Sequence, residues 1–245
     1  MSNHLETNNI NADDLENFEK ALDDYKNNQL QKEDPKFINM VKFCLQSDEN
    51  YELKCKTIGF ILFFLSSYEI NEARILVENK IVPILIELLY ATDYVIVNNA
   101  IATIANIAMH FRDYLIECNL FDAVFHIFSS LETLEEVTVL AISHLMMFCV
   151  ANEDPLSIQH AGQIASWFLR ILNRKPDVEI DSLEFLAHTV CLDGLDYIAE
   201  WGHEYIDAMK EYNLIDTITP FLNSNQLQLQ KPASRIHHKI NSIEN

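Results

Sequence analysis

The sequence contains few residue combinations that could carry out catalysis. Its 245 residues include no Gly-rich phosphate loop, no G-x-S-x-G elbow, no H-E-x-x-H motif and no paired C-x-x-C. These arrangements bind phosphates, activate a nucleophile or hold a metal ion. The nine histidines are dispersed, and His237 and His238 near the end of the chain are expected to be solvated. The acidic run LETLEE at residues 131–136 is typical of a solvated loop. We therefore predict that the protein is not an enzyme and uses no cofactor or metal.

One strongly polar side chain within an apolar helical pattern is a candidate for binding a ligand. Asn106 lies in a stretch, residues 95–109, that carries no charge. On a helical wheel of about 100° per residue, the predicted core stripe consists of Val97, Ile101, Ile104 and Ala108. The opposite stripe consists of Asn99, Ala102 and Asn106. An asparagine amide can both donate to and accept from the backbone of an extended peptide. The alternative is a solvated asparagine, or one bonded to the next repeat.

The corresponding stripes on the other long helical patterns are mostly apolar. The predicted members are Phe60 and Phe64 in the first pattern, Val137, Leu140, His144 and Met147 in the third, and Leu183, Leu186 and Val190 in the last. Exposed apolar patches of this extent usually mark an interaction site. The alternative is that tight curvature, or the N-terminal segment, covers them.

Composition favours an all-helical protein with an acidic surface. Nearly half of the residues are hydrophobic, and four glycines are too few for most sandwiches or doubly wound sheets of this length. The formal net charge of −20 argues against nucleic acid as a partner. It suits a basic peptide, or it simply keeps the protein in solution. The five isolated cysteines are expected to be reduced core residues, which is typical of cytoplasmic and nuclear proteins.

A repeat runs through most of the chain. Five helical patterns end alike at Leu45, Leu89, Phe128, Leu172 and Leu222, with separations of 44, 39, 44 and 50 residues. Longer helical patterns lie between them. A period near 40–47 residues indicates armadillo or HEAT units, which stack into a superhelix with a concave groove. We predict an armadillo-repeat α-solenoid of about five units.

The flanks of the repeat differ from its body. Residues 1–34 are acidic and are expected to be mostly flexible, with at most one short helix, whereas residues 35–240 form the armadillo domain and 241–245 a tail. The stretch after Leu222 is expected to be either a capping helix or a loose tail. The polar opening predicts no signal peptide, and the apolar stretch IGFILFFLSSY is too short to cross a bilayer.

The sequence resembles the importin-α family of nuclear-transport adaptors. ANIAMHFRDYLIECNLFDAVFHIF is similar to the family's "GNIAG…YRDYVLQ" run and the helices after it. VENKIVPILIELL and the stretch from LDGLDYIAEW to NSNQLQL resemble its second helices and its last repeats. The resemblance covers about residues 35–240, as roughly five units against the family's usual ten. It implies an armadillo fold and binding of nuclear localisation peptides.

The resemblance also implies a role for particular groove positions. In the family, a tryptophan and an asparagine four residues later line the groove on each third helix. The matching pairs are Phe60/Phe64, Ala102/Asn106, Leu140/His144 and Leu186/Val190, so Asn106 is the only member that keeps the family's side chain. The family's acidic loop after the asparagine and its basic importin-β-binding N-terminus are also changed.

Two functional hypotheses follow. The first is an importin-α-like adaptor, cytoplasmic and nuclear, whose groove binds an extended cargo peptide. A Lys/Arg-rich sequence is one candidate for that peptide, and the adaptor would reach a transport receptor without a basic N-terminal segment. Its predicted peptide-binding residues are Asn106, Asn99, Ala102, His144, Leu140, Phe60, Phe64 and Leu186. The second is a non-transport armadillo scaffold that holds an apolar segment of one dedicated partner. Binding to nucleic acid or membrane is not expected.

Overall fold

Within the described part of the chain the protein contains only helices. The computed structural model describes residues 12–24, 34–48, 50–67, 69–152, 154–174, 179–180 and 182–243. Thirteen α-helices run through these residues: α1 Ala12–Asp24, α2 Pro35–Gln46, α3 Tyr51–Phe64, α4 Ile70–Glu78, α5 Val82–Glu87, α6 Tyr94–Glu117, α7 Leu120–Phe128, α8 Glu136–Val150, α9 Ile158–Arg174, α10 Leu183–Glu200, α11 His203–Lys210, α12 Leu214–Leu222 and α13 Leu227–Ile243. The predicted all-α class is confirmed.

The helices stack in two rows, as the sequence period predicts. Helices α3, α6, α8, α10 and α13 lie side by side and form the long-helix row. Helices α2, α5, α7, α9 and α12 form a second row behind it, where α7 and α9 meet through the rings of Phe121, Phe128 and Trp167. Each helix buries its apolar face between its own unit and the next, so the core is continuous along the chain.

Three units enter the second row through the same backbone conformation. Lys80, Asn119 and Asn213 have φ values of 55°, 64° and 65°, and they stand just before α5, α7 and α12. This left-handed conformation is uncommon outside glycine, although asparagine tolerates it better than most residues. The recurrence shows that these joints belong to one structural repeat.

Helix α6 holds the middle of the long-helix row. The Asp93 carboxylate accepts hydrogen bonds from the backbone N–H groups of Val95 and Ile96, at 2.8 and 3.2 Å, and so caps the start of the helix. A kink at Phe111 (φ −133°, ψ 36°) turns the remainder into the first helix of the next unit. By length and composition α6 could cross a membrane, but half of its apolar window is buried within the solenoid.

A helix precedes the repeats. Within the predicted N-terminal segment, α1 packs on α2 and α3 through buried Phe18 and Leu22. The rings of Phe18 and Phe37 lie 5.3 Å apart. Residues 1–11 and 25–33 of that segment, with their predicted flexibility, lie outside the described residues.

The C-terminal stretch is a capping helix, which decides between the two sequence-based alternatives. Helix α13 buries Leu229, Ala233, Ile236 and Ile240 against α10 and α12. It continues past the predicted domain end at residue 240 to Ile243. Helix α13 therefore adds a further long helix to the same row.

Candidate functional site

The burial pattern of the long helices shows which residues occupy equivalent places. In α6, Ala100, Ile101, Ile104 and Ala108 are fully buried. The same spacing of buried residues, none more than 2% exposed, recurs in the three other long helices. The residues are Thr57, Ile58, Ile61 and Leu65 at α3; Ile142, Ser143, Met146 and Val150 in α8; and Ala187, His188, Cys191 and Leu195 in α10. These four sets fix the alignment of α3, α6, α8 and α10 independently of any motif.

The opposite, partly exposed positions form one surface across the four helices, which we call the groove stripe. In α6 it consists of Asn99, Ala102 and Asn106, as predicted from the helical wheel. The aligned residues are Lys56, Gly59 and Phe63 in α3; Ala141, His144 and Phe148 in α8; and Leu186, Thr189 and Asp193 in α10. All twelve are exposed or half-buried.

The structure corrects the predicted register in the first unit. Phe64 is 6% exposed and belongs to the core, whereas its neighbour Phe63 is 50% exposed. Phe60 is half-buried, because its ring packs edge-on against Phe37 at 5.4 Å and stacks on Phe64 at 6.2 Å. Adjacent helical residues point about 100° apart, so an error of one position exchanges a core residue for a surface one.

The register also differs in the third and fourth units. Asn106 aligns with Phe148 and Asp193, not with His144 and Val190. Leu140 is half-buried and packs against the core, while Leu186 remains 43% exposed. Family spacing misplaced these residues because the connections between second-row and long helices differ among units. Aligning the apolar core stripes on the wheel would have found them.

Asn106 occupies the centre of the groove stripe with its amide available. Among the described residues its half-buried side chain has no hydrogen-bond partner. Neighbouring Asn98 has a buried side-chain oxygen without a partner in the same part of the chain. Burying an amide without a hydrogen bond costs free energy. The Asn106 amide is therefore suited to a ligand that supplies backbone N–H and C=O groups, whereas the Asn98 oxygen is enclosed by the protein.

His144 adds a directed acceptor beside Asn106. Its Nδ1 lies 3.0 Å from the backbone oxygen of Leu140, and a carbonyl can only accept, so Nδ1 donates. In the neutral ring Nε2 is then an acceptor. The rings of His144 and Phe148 lie 6.4 Å apart. This half of the groove stripe thus combines one acceptor with aromatic surface.

Charges concentrate at the C-terminal end of the stripe. A cleft of about 370 Å³ is lined by Met147, Asp193, Asp196, Tyr197, Glu200 and Arg235. The Arg235 guanidinium bonds to Asp193 and Asp196, and the Lys239 ammonium lies 2.7 Å from the Asp196 carboxylate. Burial raises the pKa of Asp193, and Arg235 beside it acts in the opposite direction. Two cations from α13 therefore offset part of the negative charge.

The N-terminal end of the stripe is occupied by α1. Lys56 pairs with Glu19 of α1 and lies 3.4 Å from Glu52. Together with the Phe18–Phe37–Phe60 contacts, this pair places α1 beside the first unit's share of the stripe. A ligand therefore has open access mainly from Phe63 onward.

No tryptophan lies on the groove stripe within the described residues. Trp167 is buried in α9, stacked 5.3 Å from Phe128, and Trp201 follows α10. In the same part of the chain no three metal-ligating side chains converge. The stripe is thus built from small, aromatic and amide side chains, which suits binding of a chain segment.

Comparison with known proteins shows that this architecture is similar to that of armadillo-repeat proteins. The Armadillo/beta-catenin-like repeat model matches residues 73–109, which include Asn106. Computationally designed armadillo repeat proteins for modular peptide recognition superpose with a TM-score of 0.75, at 16% identity over 95% of each chain. A designed armadillo repeat protein in complex with the peptide (KR)4 gives 0.72, at 15% identity over 94% of this chain and 96% of that one.

A natural protein shares the fold as well. The armadillo repeats only protein from Plasmodium falciparum superposes with a TM-score of 0.67, at 12% identity over 94% of this chain and 99% of that one. No curated protein matches the chain by sequence. The stacked rows, the aligned burial pattern and these superpositions agree that this protein is an armadillo-repeat solenoid.

Proposed function

We propose that the groove stripe binds an extended segment of a partner protein, and that the protein acts as an importin-α-like adaptor for nuclear localisation-type peptides. The observation that carries the proposal is the available amide of Asn106 at the centre of the stripe. Solved armadillo proteins of this fold, designed for peptide recognition or solved with (KR)4, support it. The adaptor would work in both cytoplasm and nucleus.

The chemistry of the stripe suits an extended backbone. The Asn106 amide can donate to a peptide carbonyl and accept from a peptide N–H, and His144 Nε2 can accept from another N–H. Phe63 and Phe148 occupy the equivalent places in the units on either side and offer apolar contacts to the peptide's side chains. Asn99 and Ala102 are the other two groove-stripe residues of α6 and complete the binding surface beside Asn106.

Long-range charge favours a basic segment. The net charge of −20 attracts cationic partners and accelerates encounter, an effect that falls with ionic strength. Asp193 continues the stripe toward the acidic cleft. A Lys-rich peptide running from Asn106 toward α10 would therefore meet increasingly negative surface.

The test is fluorescence-anisotropy titration of a Lys-rich nuclear localisation peptide, at low and physiological salt. We expect binding that weakens with salt, and Asn106→Ala should reduce the binding free energy by roughly 1–3 kcal/mol. Asn225→Ala, at an exposed turn before α13, is the matched control and should bind like the wild type. Equal affinity of Asn106→Ala and wild type would remove Asn106 from the mechanism.

A second function is favoured by Phe63 and Phe148 at the positions equivalent to Asn106. Two phenylalanines there make the stripe more apolar than a ladder of asparagines. The protein would then be a non-transport scaffold for an apolar segment of one dedicated partner. Two results together would favour the scaffold over the adaptor. An amphipathic peptide would bind in a salt-insensitive manner and lose binding in Phe63→Ser, and a reporter cargo would not accumulate in the nuclei of permeabilised cells.

A further inference from the structure

A group of aromatic side chains lies exposed outside the groove stripe, at one edge of the solenoid. Its members, which we call the aromatic rim, are Tyr51, Tyr90, Tyr94 and Phe125, and they are 51%, 48%, 58% and 60% exposed. Single exposed aromatics are ordinary, but a cluster of this kind usually marks an interaction surface.

Contacts between neighbouring elements bring the parts of the rim close together. The Tyr51 hydroxyl donates to the Asp93 carboxylate at 3.0 Å, and Asp93 directly precedes Tyr94. The Tyr90 ring lies 5.0 Å from the ring of His126, the neighbour of Phe125. The turn that contains Tyr90 packs on both α6 and α7. The rim residues therefore lie on adjoining elements of the first three units.

Each rim aromatic has a carboxylate within three positions of it in the sequence. The carboxylates are Glu52 beside Tyr51, Glu87 one turn before Tyr90, Asp93 beside Tyr94, and Asp122 one turn before Phe125. Glu52 pairs with Lys56, whereas Glu87 and Asp122 have no ion-pair partner among the described residues. The rim thus alternates aromatic faces with negative charge.

We propose that the aromatic rim binds an arginine-containing segment of a partner protein, at a site separate from the groove stripe. A guanidinium is planar and always charged, so it can stack on a tyrosine or phenylalanine face while donating to the neighbouring carboxylate. A lysine ammonium satisfies the charge but stacks less well. The site goes beyond the proposed groove function, because it requires neither Asn106 nor an extended backbone.

Charge excludes the two other natural occupants of an apolar patch. In a symmetric pair of copies the rim carboxylates of one chain would face those of the other, and each chain carries a net charge of −20. An anionic lipid surface would be repelled for the same reason. A cationic protein segment is the occupant whose charge and shape both complement the rim.

The experiment compares fluorescein-labelled hexa-arginine and hexa-lysine amides by anisotropy at about 0.15 M salt. Hexa-arginine should bind more tightly than hexa-lysine. The double variant Tyr90→Ser/Tyr94→Ser keeps the net charge and should weaken hexa-arginine binding by about fivefold or more. Tyr90→Phe/Tyr94→Phe retains both rings and should restore it.

Controls separate the rim from the groove and from general attraction. Leu227→Ser, an exposed apolar residue on α13, should bind hexa-arginine like the wild type. In an Asn106→Ala background, which impairs the groove stripe, the serine double variant should still weaken hexa-arginine binding by the same factor. Should the serine double variant fold poorly, Glu87→Gln/Asp122→Asn tests the same site through its charge and should also weaken binding. An unchanged affinity in the rim variants, in either background, or equal binding of both peptides would overturn the proposal. Dimerisation that the serine variant abolishes would also overturn it.

Discussion

Acidification tests the packing around His188, a fully buried residue of α10. Its ring meets the Phe221 ring edge-on at 5.7 Å. Neither ring nitrogen has a hydrogen-bond partner among the described residues. Burial lowers the pKa of His188 to about 4, and the nearby Ile171 carbonyl opposes this only partly. The folded protein therefore holds a neutral imidazole well below the pH at which free histidine is protonated.

The sign of the effect follows from proton binding in the two states. At pH 7 His188 is mostly neutral in both the folded and the unfolded chain. Between pH 6.5 and about 4 the unfolded chain binds a proton that the folded chain refuses, so the free energy of unfolding falls as the pH falls. With about 1.4 kcal/mol per pKa unit, the gap removes about 2 kcal/mol by pH 5 and about 3 kcal/mol at its limit.

The assay is equilibrium urea unfolding at pH 7 and pH 5 of the wild type and of His188→Leu. The wild type should lose about 2 kcal/mol more than the variant between the two pH values. The buried Arg174–Glu184 pair, 3.6 Å apart and one turn from His188, is present in both proteins and cancels in the comparison. His238→Leu, at an exposed site, should behave like the wild type. Equal losses in wild type and His188→Leu would refute the reasoning.

Two local changes should alter stability in predictable directions. Gly194→Ala should destabilise by about 1–3 kcal/mol, because the new Cβ would lie 2.4 Å from the ring of buried Phe168. Gly59→Ala is the matched control: no atom lies within 4 Å of its new Cβ, so it should be neutral or stabilise by up to about 1 kcal/mol. Thermal melts of the two alanine variants test this, and equal melting temperatures would contradict the packing argument. Asp93→Ala removes the N-cap of α6 and should lower the free energy of unfolding, measured in urea, by about 1 kcal/mol, whereas Asp93→Asn should retain most of the cap. The same loss in Asp93→Asn would show that the negative charge of Asp93, and not its capping hydrogen bonds, stabilises the helix.

Helical periodicity predicted much of the core correctly. Val97, Ile101, Ile104 and Ala108 of α6 are all buried, as the wheel requires. Asn106 is only partly covered on the opposite face. This success has a local cause: the apolar stripe and the helix that displays it arise from the same few turns of chain. The repeat period likewise predicted the stacked rows.

Register between units was less predictable. Phe63, not Phe64, lies on the groove stripe, and Phe148 and Asp193 stand where Asn106 stands in α6. Carrying positions from one unit to the next requires the length and shape of every connection. Those connections differ, since a separate short helix precedes α5 and α12, the kinked end of α6 precedes α7, and no short helix stands between α8 and α9 among the described residues.

The sequence by itself determined the helical class, the armadillo period, the acidic character and the buried face of α6. These properties depend on composition and on spacing within one helix, where neighbouring turns are bonded and their geometry is fixed. The tertiary structure alone decided that Phe37 of α2 packs on Phe60, that α13 pairs Arg235 with Asp196, and that Tyr90 meets His126. Each joins residues some 20 to 40 positions apart, whose meeting depends on how successive units stack, and no local pattern records that angle.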